Sequence, residues 1–165
     1  MGKGFQIDST DRKILELLAV NARMPFLEVA RKCGISGAAV HQRMQKLTEA
    51  RVIDGSPLFL NPKGLGYHTC AFIGIQVNLT PGSTHQEVFF QIKEIPEIVE
   101  CHHISGKYSL FVKIFTKSNE HLKRIIVERI QTIPEVTATE TFISLETGFS
   151  RQLPVKEGPV MQIDE

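Results

Sequence analysis

Cys33-Gly34-Ile35-Ser36 is the stretch that decides how this chain folds. It supplies, in order, a last apolar contact, a glycine able to take positive φ, a buried anchor and a helix N-cap. Small Ala30, four residues before Gly34, lets the helices on either side of the link cross closely. This is the grammar of a helix-turn-helix. On the N-terminal side, Pro25 opens a helix carrying Phe26, Val29, Ala30 and Cys33 on one stripe. On the C-terminal side, Ser36 caps a third helix whose inward residues are Val40, Met44 and Leu47. Upstream, Asp8 or Ser9 caps a first helix with Asp11 in its first turn. Ile14, Leu17 and Leu18 recur there at helical spacing, and Asn21 ends it. Beyond the third helix, Arg51-Val52-Ile53-Asp54-Gly55 is expected to begin a wing strand.

Next comes a connector with Pro57, Pro62, Gly64 and Gly66, whose prolines argue against a helix and which is expected to run extended or to pair as an edge strand. The hydrophobic period then changes. Ala71, Ile73, Ile75 and Val77 alternate as a strand ended by Thr80-Pro81-Gly82. Ser83 or Thr84 caps a helix bearing Val88, Phe89, Ile92 and Ile95. Ile98–Ile104 and Leu110–Phe115 read as strands joined at Ser105-Gly106-Lys107, Leu122, Ile125, Ile126 and Ile130 mark another helix, and Val136–Leu145 is a last strand. Ile95-Pro96-Glu97-Ile98 recurs as Ile133-Pro134-Glu135-Val136, each time between a helix and a strand, where proline ends the helix. The predicted fold is α+β: an N-terminal winged helix-turn-helix and a C-terminal ferredoxin-like βαββαβ domain. The expected boundaries are 1–54 for the winged helix-turn-helix, 55–66 for the linker, 67–147 for effector binding and oligomerisation, and 148–165 for an extended tail.

The charge is divided between the halves. Residues 1–66 hold ten Lys/Arg against six Asp/Glu, and residues 67–165 nine against twelve, so the basic half is the one that would face a polyanion. Three scattered cysteines form no disulfide framework, and no apolar run approaches the roughly 18 residues of a membrane span. Without the apolar core of a signal peptide at the N-terminus, the expected location is cytoplasmic. With Val40, Met44 and Leu47 turned inward, the third helix presents Ala38, Ala39, His41, Gln42, Arg43, Gln45 and Lys46. Small residues allow close approach to a groove, while amides and a guanidinium read base edges. Lys46, Arg51 and the amides at the Ser36 end suit phosphates. Double-stranded DNA is therefore the expected partner.

A sheet covered by helices on one side leaves its other face open. Taking alternate positions, that face is expected to carry Phe72, Ile98, Ile104, Phe111, Phe115, Ile143 and Leu145, with Gln76, Glu100, His102 and Lys113 interspersed. So apolar a face predicts a homodimer built sheet against sheet. Cys101 and His103 on one strand face, with Cys70 or His68, could in principle hold a metal, but core cysteines and surface histidines are expected instead. Glu97 and Glu135 read as solvated turn residues, and His85 and His121 have no evident acid partner. With no nucleophile elbow, phosphate-cradling loop or HExxH, an enzyme is not expected, nor is a cofactor or a metal.

The ordered series Asp8-x-x-Asp11-x-x-Ile14-Leu15, Ala30-x-x-x-Gly34-Ile35-Ser36, Val40-x-x-Arg43-Met44-x-x-Leu47-x-x-x-x-Val52-Ile53, Leu65-Gly66-Tyr67 and Gly106-x-Tyr108 resembles the Lrp/AsnC, or feast/famine, regulators over residues 6–147. The resemblance implies a DNA-binding transcription regulator that forms dimers, often gathered into octamers. It also implies a small effector, commonly an amino acid, bound between subunits near Ile104, Ser105, Gly106, Lys107, Tyr108 and Ser109. Members that hold a free amino acid resemble Gly-x-Tyr-Asp, where the aspartate can pair with the ligand's ammonium group. Ser109 stands there in this chain. A neutral hydroxyl cannot compensate an ammonium ion, and Lys107 would favour a carboxylate. The expectation is an effector other than a simple amino acid held in that way, or none. The alternatives are an effector-binding sensor or oligomerisation module, and a nucleoid-associated architectural protein without specific gene control.

Overall fold

A computed structural model of the chain describes residues 6–79 and 82–155. It divides into two compact units, one centred on residues up to Leu58 and the other spanning Phe59–Gly148.

The first unit holds α1 (Ser9–Val20), α2 (Phe26–Cys33) and α3 (Gly37–Glu49). Asp8 caps α1 in a reciprocal box: its side chain accepts from the Asp11 amide, and the Asp11 side chain accepts from the Asp8 amide. At the end of α2, Gly34 sits at φ +68°, where a side chain would be strained, and Ser36 accepts from the Ala39 amide to start α3. Ile14, Val29, Ala30 and Val40 form the buried core of the three helices, with Ile35 and Met44 packed against it. The expected wing is corrected. Residues 52–61 form no strand, because the amides of Val52 and Ile53 fold back onto the Leu47 carbonyl (2.9 and 3.3 Å) and the chain then runs unpaired.

The second unit is an antiparallel sheet in the order β2-β3-β1-β4, from β1 (Thr69–Val77), β2 (Ile98–His103), β3 (Leu110–Thr116) and β4 (Val136–Ile143). α4 (His85–Lys93) and α5 (Asn119–Ile125) cross over between strands, and α5 runs on into a π-helical turn at Ile126–Ile130. This is the expected βαββαβ arrangement. Ala71, Ile73, Ile75, Leu110, Val112 and Ile114 from the sheet bury against Val88, Ile92, Leu122, Ile125 and Ile130 from the helical layer. Each of the Val, Leu and Ile side chains in this set contributes about 1.5–3 kcal/mol on burial. The end of the predicted first strand, Thr80-Pro81-Gly82, lies partly outside the described residues, as does the tail beyond residue 155. Residues 147–155 form neither helix nor strand.

Two parity assignments are corrected. A register shift between Ile98 and Glu100 turns Ile98 to the helix-covered side, opposite Ile114. On β4, Phe142 lies opposite Phe72, whereas Ile143 lies opposite Ala71 and belongs to the other face. Leu145 falls beyond the strand. Phe89, expected on the inner stripe of α4, is exposed and meets Phe90 edge-on.

Candidate nucleic-acid interface and effector region

The outward side of α3 is built as the amphipathic spacing requires. Val40 and Leu47 are buried, whereas Ser36, Ala38, His41, Gln42, Gln45 and Lys46 are exposed and Ala39 is half-buried. The His41 ring meets the edge of Phe26 at 4.8 Å, and Gln45 donates to Glu49 at 2.8 Å. Among the described residues, the side chains of Gln42 and Lys46 have no hydrogen-bond or ion-pair partner within the chain. Arg51 lies just past the helix at φ +53°, a left-handed conformation costly for a side-chain-bearing residue.

Arg43 departs from expectation. Its Nη1 donates to Asp8 Oδ2 at 2.6 Å and to Asp11 Oδ1 at 2.7 Å, and only 31% of the side chain is exposed. Its guanidinium is therefore turned to the start of α1 and is not presented with Gln42 and Lys46. Burial works to raise the Asp8 pKa. The Asp11 amide and the Arg43 guanidinium outweigh it and hold the carboxyl below its ordinary 3.8. For a depressed acid the sign is fixed: what Asp8 contributes to stability is complete above 3.8 and disappears as pH falls through its lower folded value.

The hairpin from Ile104 to Ser109 closes through the Ile104 amide, which donates to the Ser109 carbonyl at 3.1 Å. Ile104, Ser105, Gly106 and Lys107 are exposed; Tyr108 and Ser109 are half-buried. The Ser109 hydroxyl is spent on β1, where it accepts from the Val77 amide at 3.3 Å. The cation expected at Lys107 is not free. Its Nζ lies 2.5 Å from Glu140 Oε2 and 4.9 Å above the Tyr108 ring, and the Tyr108 hydroxyl donates to the same carboxylate oxygen. Hydrogen bonding to Glu140 first and Tyr108 second raises the Lys107 pKa, and hydrogen bonding from Lys107 first and Tyr108 second lowers that of Glu140. Tyr108 also joins the open face of the sheet, 6.4 Å from Phe111, which stacks on Phe72 at 6.0 Å and meets Phe142 at 6.2 Å.

The cysteine and histidine cluster is not assembled. Cys101 packs against the helix-covered core, while Cys70 lies opposite Phe115 on the other face, and burial raises both thiol pKa values. Among the described residues, no group of three or more His, Cys, Asp or Glu could hold a metal ion.

Comparison with known proteins decides the family. Residues 7–48 match the model of the AsnC-type helix-turn-helix domain, and residues 70–153 that of the Lrp/AsnC ligand binding domain. The chain belongs to the Lrp/AsnC family. Regulatory protein AsnC of Haemophilus influenzae is 34% identical over 147 residues, covering 89% of this chain and 97% of that protein. The structure of Escherichia coli AsnC aligns with a TM-score of 0.83 at 34% identity, over 90% of this chain and 99% of that one. A feast or famine regulatory protein from M. tuberculosis, complexed with L-methionine, aligns with a TM-score of 0.83 at 27% identity, over 91% of this chain and 99% of that one. Lrp/AsnC proteins are transcription regulators, not enzymes, and this chain is a DNA-binding regulator of that type. Among its described residues no helix is long and apolar enough to cross a membrane.

Three features of this Lrp/AsnC chain escaped the sequence. Glu140 is brought to the hairpin only by the pairing of β4 with β1. Asp8 and Asp11 serve Arg43 as well as the helix cap. His121 has an acid partner after all, with Nε2 3.6 Å from Glu97 Oε1, so Glu97 is no solvated turn residue. Glu135 likewise keeps a buried carboxylate oxygen without a hydrogen-bond partner. Only the second carries a signal, the acid spacing Asp8-x-x-Asp11.

Proposed function

We propose that α3 enters the major groove of double-stranded DNA, with Ala38, Ala39, His41, Gln42 and Gln45 toward base edges and Ser36, Lys46 and Arg51 toward phosphates. The observation carrying this is that Gln42 and Lys46 are exposed and have no partner among the described residues. Arg43 drops out of the reading set because two carboxylates at the start of α1 hold its Nη1 and leave only 31% of the side chain exposed. Residues 1–54 then form the reading domain, 55–66 the linker, 67–147 the effector and assembly domain and 148–165 the tail. The protein works in the cytoplasm as a homodimer, with dimers gathering into octamers. The aromatic cluster of Phe72, Phe111 and Phe142 on the open sheet face supports the dimer. Paired α3 helices would read half-sites about 34–36 Å apart, or a multiple of that.

The test is selection of bound duplexes from a random pool, followed by titration of the recovered duplex. Gln42→Ala should lower affinity by about ten- to a hundredfold at the base it reads. Lys46→Ala should reduce the slope of log K against log salt by about 0.9 for each bound α3, or about 1.8 for the dimer. Recovery of no consensus, or indifference to both substitutions, would overturn the assignment.

The effector is an amino acid or a related carboxylate held at Ile104, Ser105, Gly106, Lys107, Tyr108 and Ser109. Glu140 removes the objection raised by Ser109. A zwitterion could set its ammonium on Glu140 and its carboxylate on Lys107, exchanging one exposed ion pair for two. The relative complexed with L-methionine supports this class of ligand. Calorimetric titration with a panel of amino acids should find a binder whose affinity falls at least about tenfold in Glu140→Gln, the loss of one charged hydrogen bond. Flat heats across the panel would end the idea.

A further inference from the structure

Arg43 lies in the middle of the helix that reads DNA in the proposal above, yet its contacts run to a different helix. The four carboxylate oxygens of Asp8 and Asp11 divide their work between cap and clamp. Asp8 Oδ1 accepts from the Asp11 amide at 2.8 Å, and Asp11 Oδ2 accepts from the Asp8 amide at 3.1 Å. The two remaining oxygens both accept from Arg43 Nη1. The cap of α1 and the middle of α3 thus form one closed network between residues 32 and 35 positions apart in sequence. The apolar core does not duplicate this tie. Ile14 of α1 and Val40 of α3 meet in a small cluster with Val29 and Ala30 of α2. Apolar packing tolerates small changes of angle, whereas a nitrogen shared by two carboxylates at 2.6 and 2.7 Å does not. Base-edge reading requires side chains held within about 0.5 Å and 10–20°.

We propose that Arg43 is a positioning residue that locks α3 to the capped end of α1, so that Asp8 and Asp11 govern DNA specificity without touching DNA. This rests on α3 being the reading helix. It has a counterintuitive consequence. Two acidic residues near a polyanion should weaken binding by repulsion, so removing their charges should help. If their task is to hold Arg43, removing them costs specific binding even though the head becomes more positive.

Asp8→Asn together with Asp11→Asn provides the variant, since asparagine is as good an N-cap as aspartate and α1 should still form. Binding to the selected duplex and to a scrambled duplex is measured across a salt series, with far-UV circular dichroism and thermal unfolding as folding controls. The expected result is at least about a tenfold loss on the selected duplex, the order of one displaced base contact, and no loss on the scrambled one. Arg43→Met should lose a similar amount with an unchanged salt slope. Arg43→Met combined with Asp8→Asn and Asp11→Asn should be no worse than Arg43→Met alone. Undiminished or tighter specific binding by the Asp8→Asn, Asp11→Asn protein would overturn the proposal. So would a fall of about 0.9 in salt slope per bound α3 for Arg43→Met, the mark of a direct phosphate contact. Should the charge-neutral pair unfold the first unit, the slope measured on Arg43→Lys, which keeps the charge but cannot bridge both acids in the same geometry, decides instead. Unchanged slope with lost specificity supports positioning, and full specificity refutes it. Failure of the underlying DNA reading looks different: Gln42→Ala and Lys46→Ala would then also leave binding untouched.

Discussion

Phe111→Glu should leave the protein monomeric in sedimentation velocity at concentrations where the unaltered chain sediments as a dimer. Phe111 is the hub of the open sheet face, with Phe72, Phe142 and Tyr108 all within 6.4 Å of its ring centre. Lys113, opposite Phe72 among these rings, is neutralised within the chain by Glu100 of the edge strand β2 at 2.9 Å, so the face carries no unpaired charge from that pair. A carboxylate at the hub is tolerable in the single chain, where Phe111 is only half-buried. Between two apposed sheets it would lack both water and a partner. That costs at least about 3 kcal/mol, or roughly a hundredfold in dissociation constant. Phe90→Glu is the control, because Phe90 is 52% exposed on α4, the other side of the sheet. It should leave the dimer intact. Because two linked reading heads bind DNA far more tightly than one, Phe111→Glu should also lose DNA affinity without any change at α3. A Phe111→Glu protein that remains dimeric would remove this face from the interface.

Local chemistry made the helix-turn-helix legible. Asp8, Gly34 and Ser36 each act within three residues of themselves, through caps and one left-handed φ, and single-sequence reading reaches that far. The strands were legible where alternation is strong, as in Ala71, Ile73 and Ile75 against Phe72 and Gln76. It failed at Ile98, because one shifted residue inverts every side chain before it, and no residue type announces the shift. It failed on β4 because Thr137, Thr139 and Thr141 alternate with Ala138, Glu140 and Phe142, a pattern that favours neither face. Arg43 and Lys107 look free in the sequence for a common reason. A basic side chain on an outward stripe looks solvated until its partner is known, and both partners lie more than 30 positions away. Charge placement is thus the part of this site that only tertiary structure settles, and charge decides which groups remain for DNA and for a ligand.

Gly74→Ala turns that dependence on tertiary structure into a sign. Glycine inside a strand is ordinarily worse than alanine by about 0.5–1 kcal/mol, so the substitution should stabilise β1 if nothing stood in the way. Here a Cβ would fall 2.7–2.8 Å from the Cγ, Cδ1 and Cδ2 atoms of the Tyr108 ring, well inside van der Waals contact. Gly74 cannot retreat, because β1 is paired on both sides, to Phe111 of β3 and Glu140 of β4. The ring must lift, and with it go the bond to Glu140 and the contact with Phe111. Gly74→Ala should therefore destabilise the second unit by about 1–3 kcal/mol in denaturant unfolding, the usual cost of overpacking. It should also weaken any effector whose binding depends on Tyr108 and Glu140. In a Tyr108→Ala background the same substitution should become neutral or stabilising, because the obstacle is gone. The cycle isolates the contact from every other consequence of either change. If Gly74→Ala destabilises equally in both backgrounds, the ring does not rest on the strand and the hairpin is not tied to the open face through it. If the effect reverses sign, one close contact joins the hairpin that would hold the effector to the open sheet face proposed as the dimer surface.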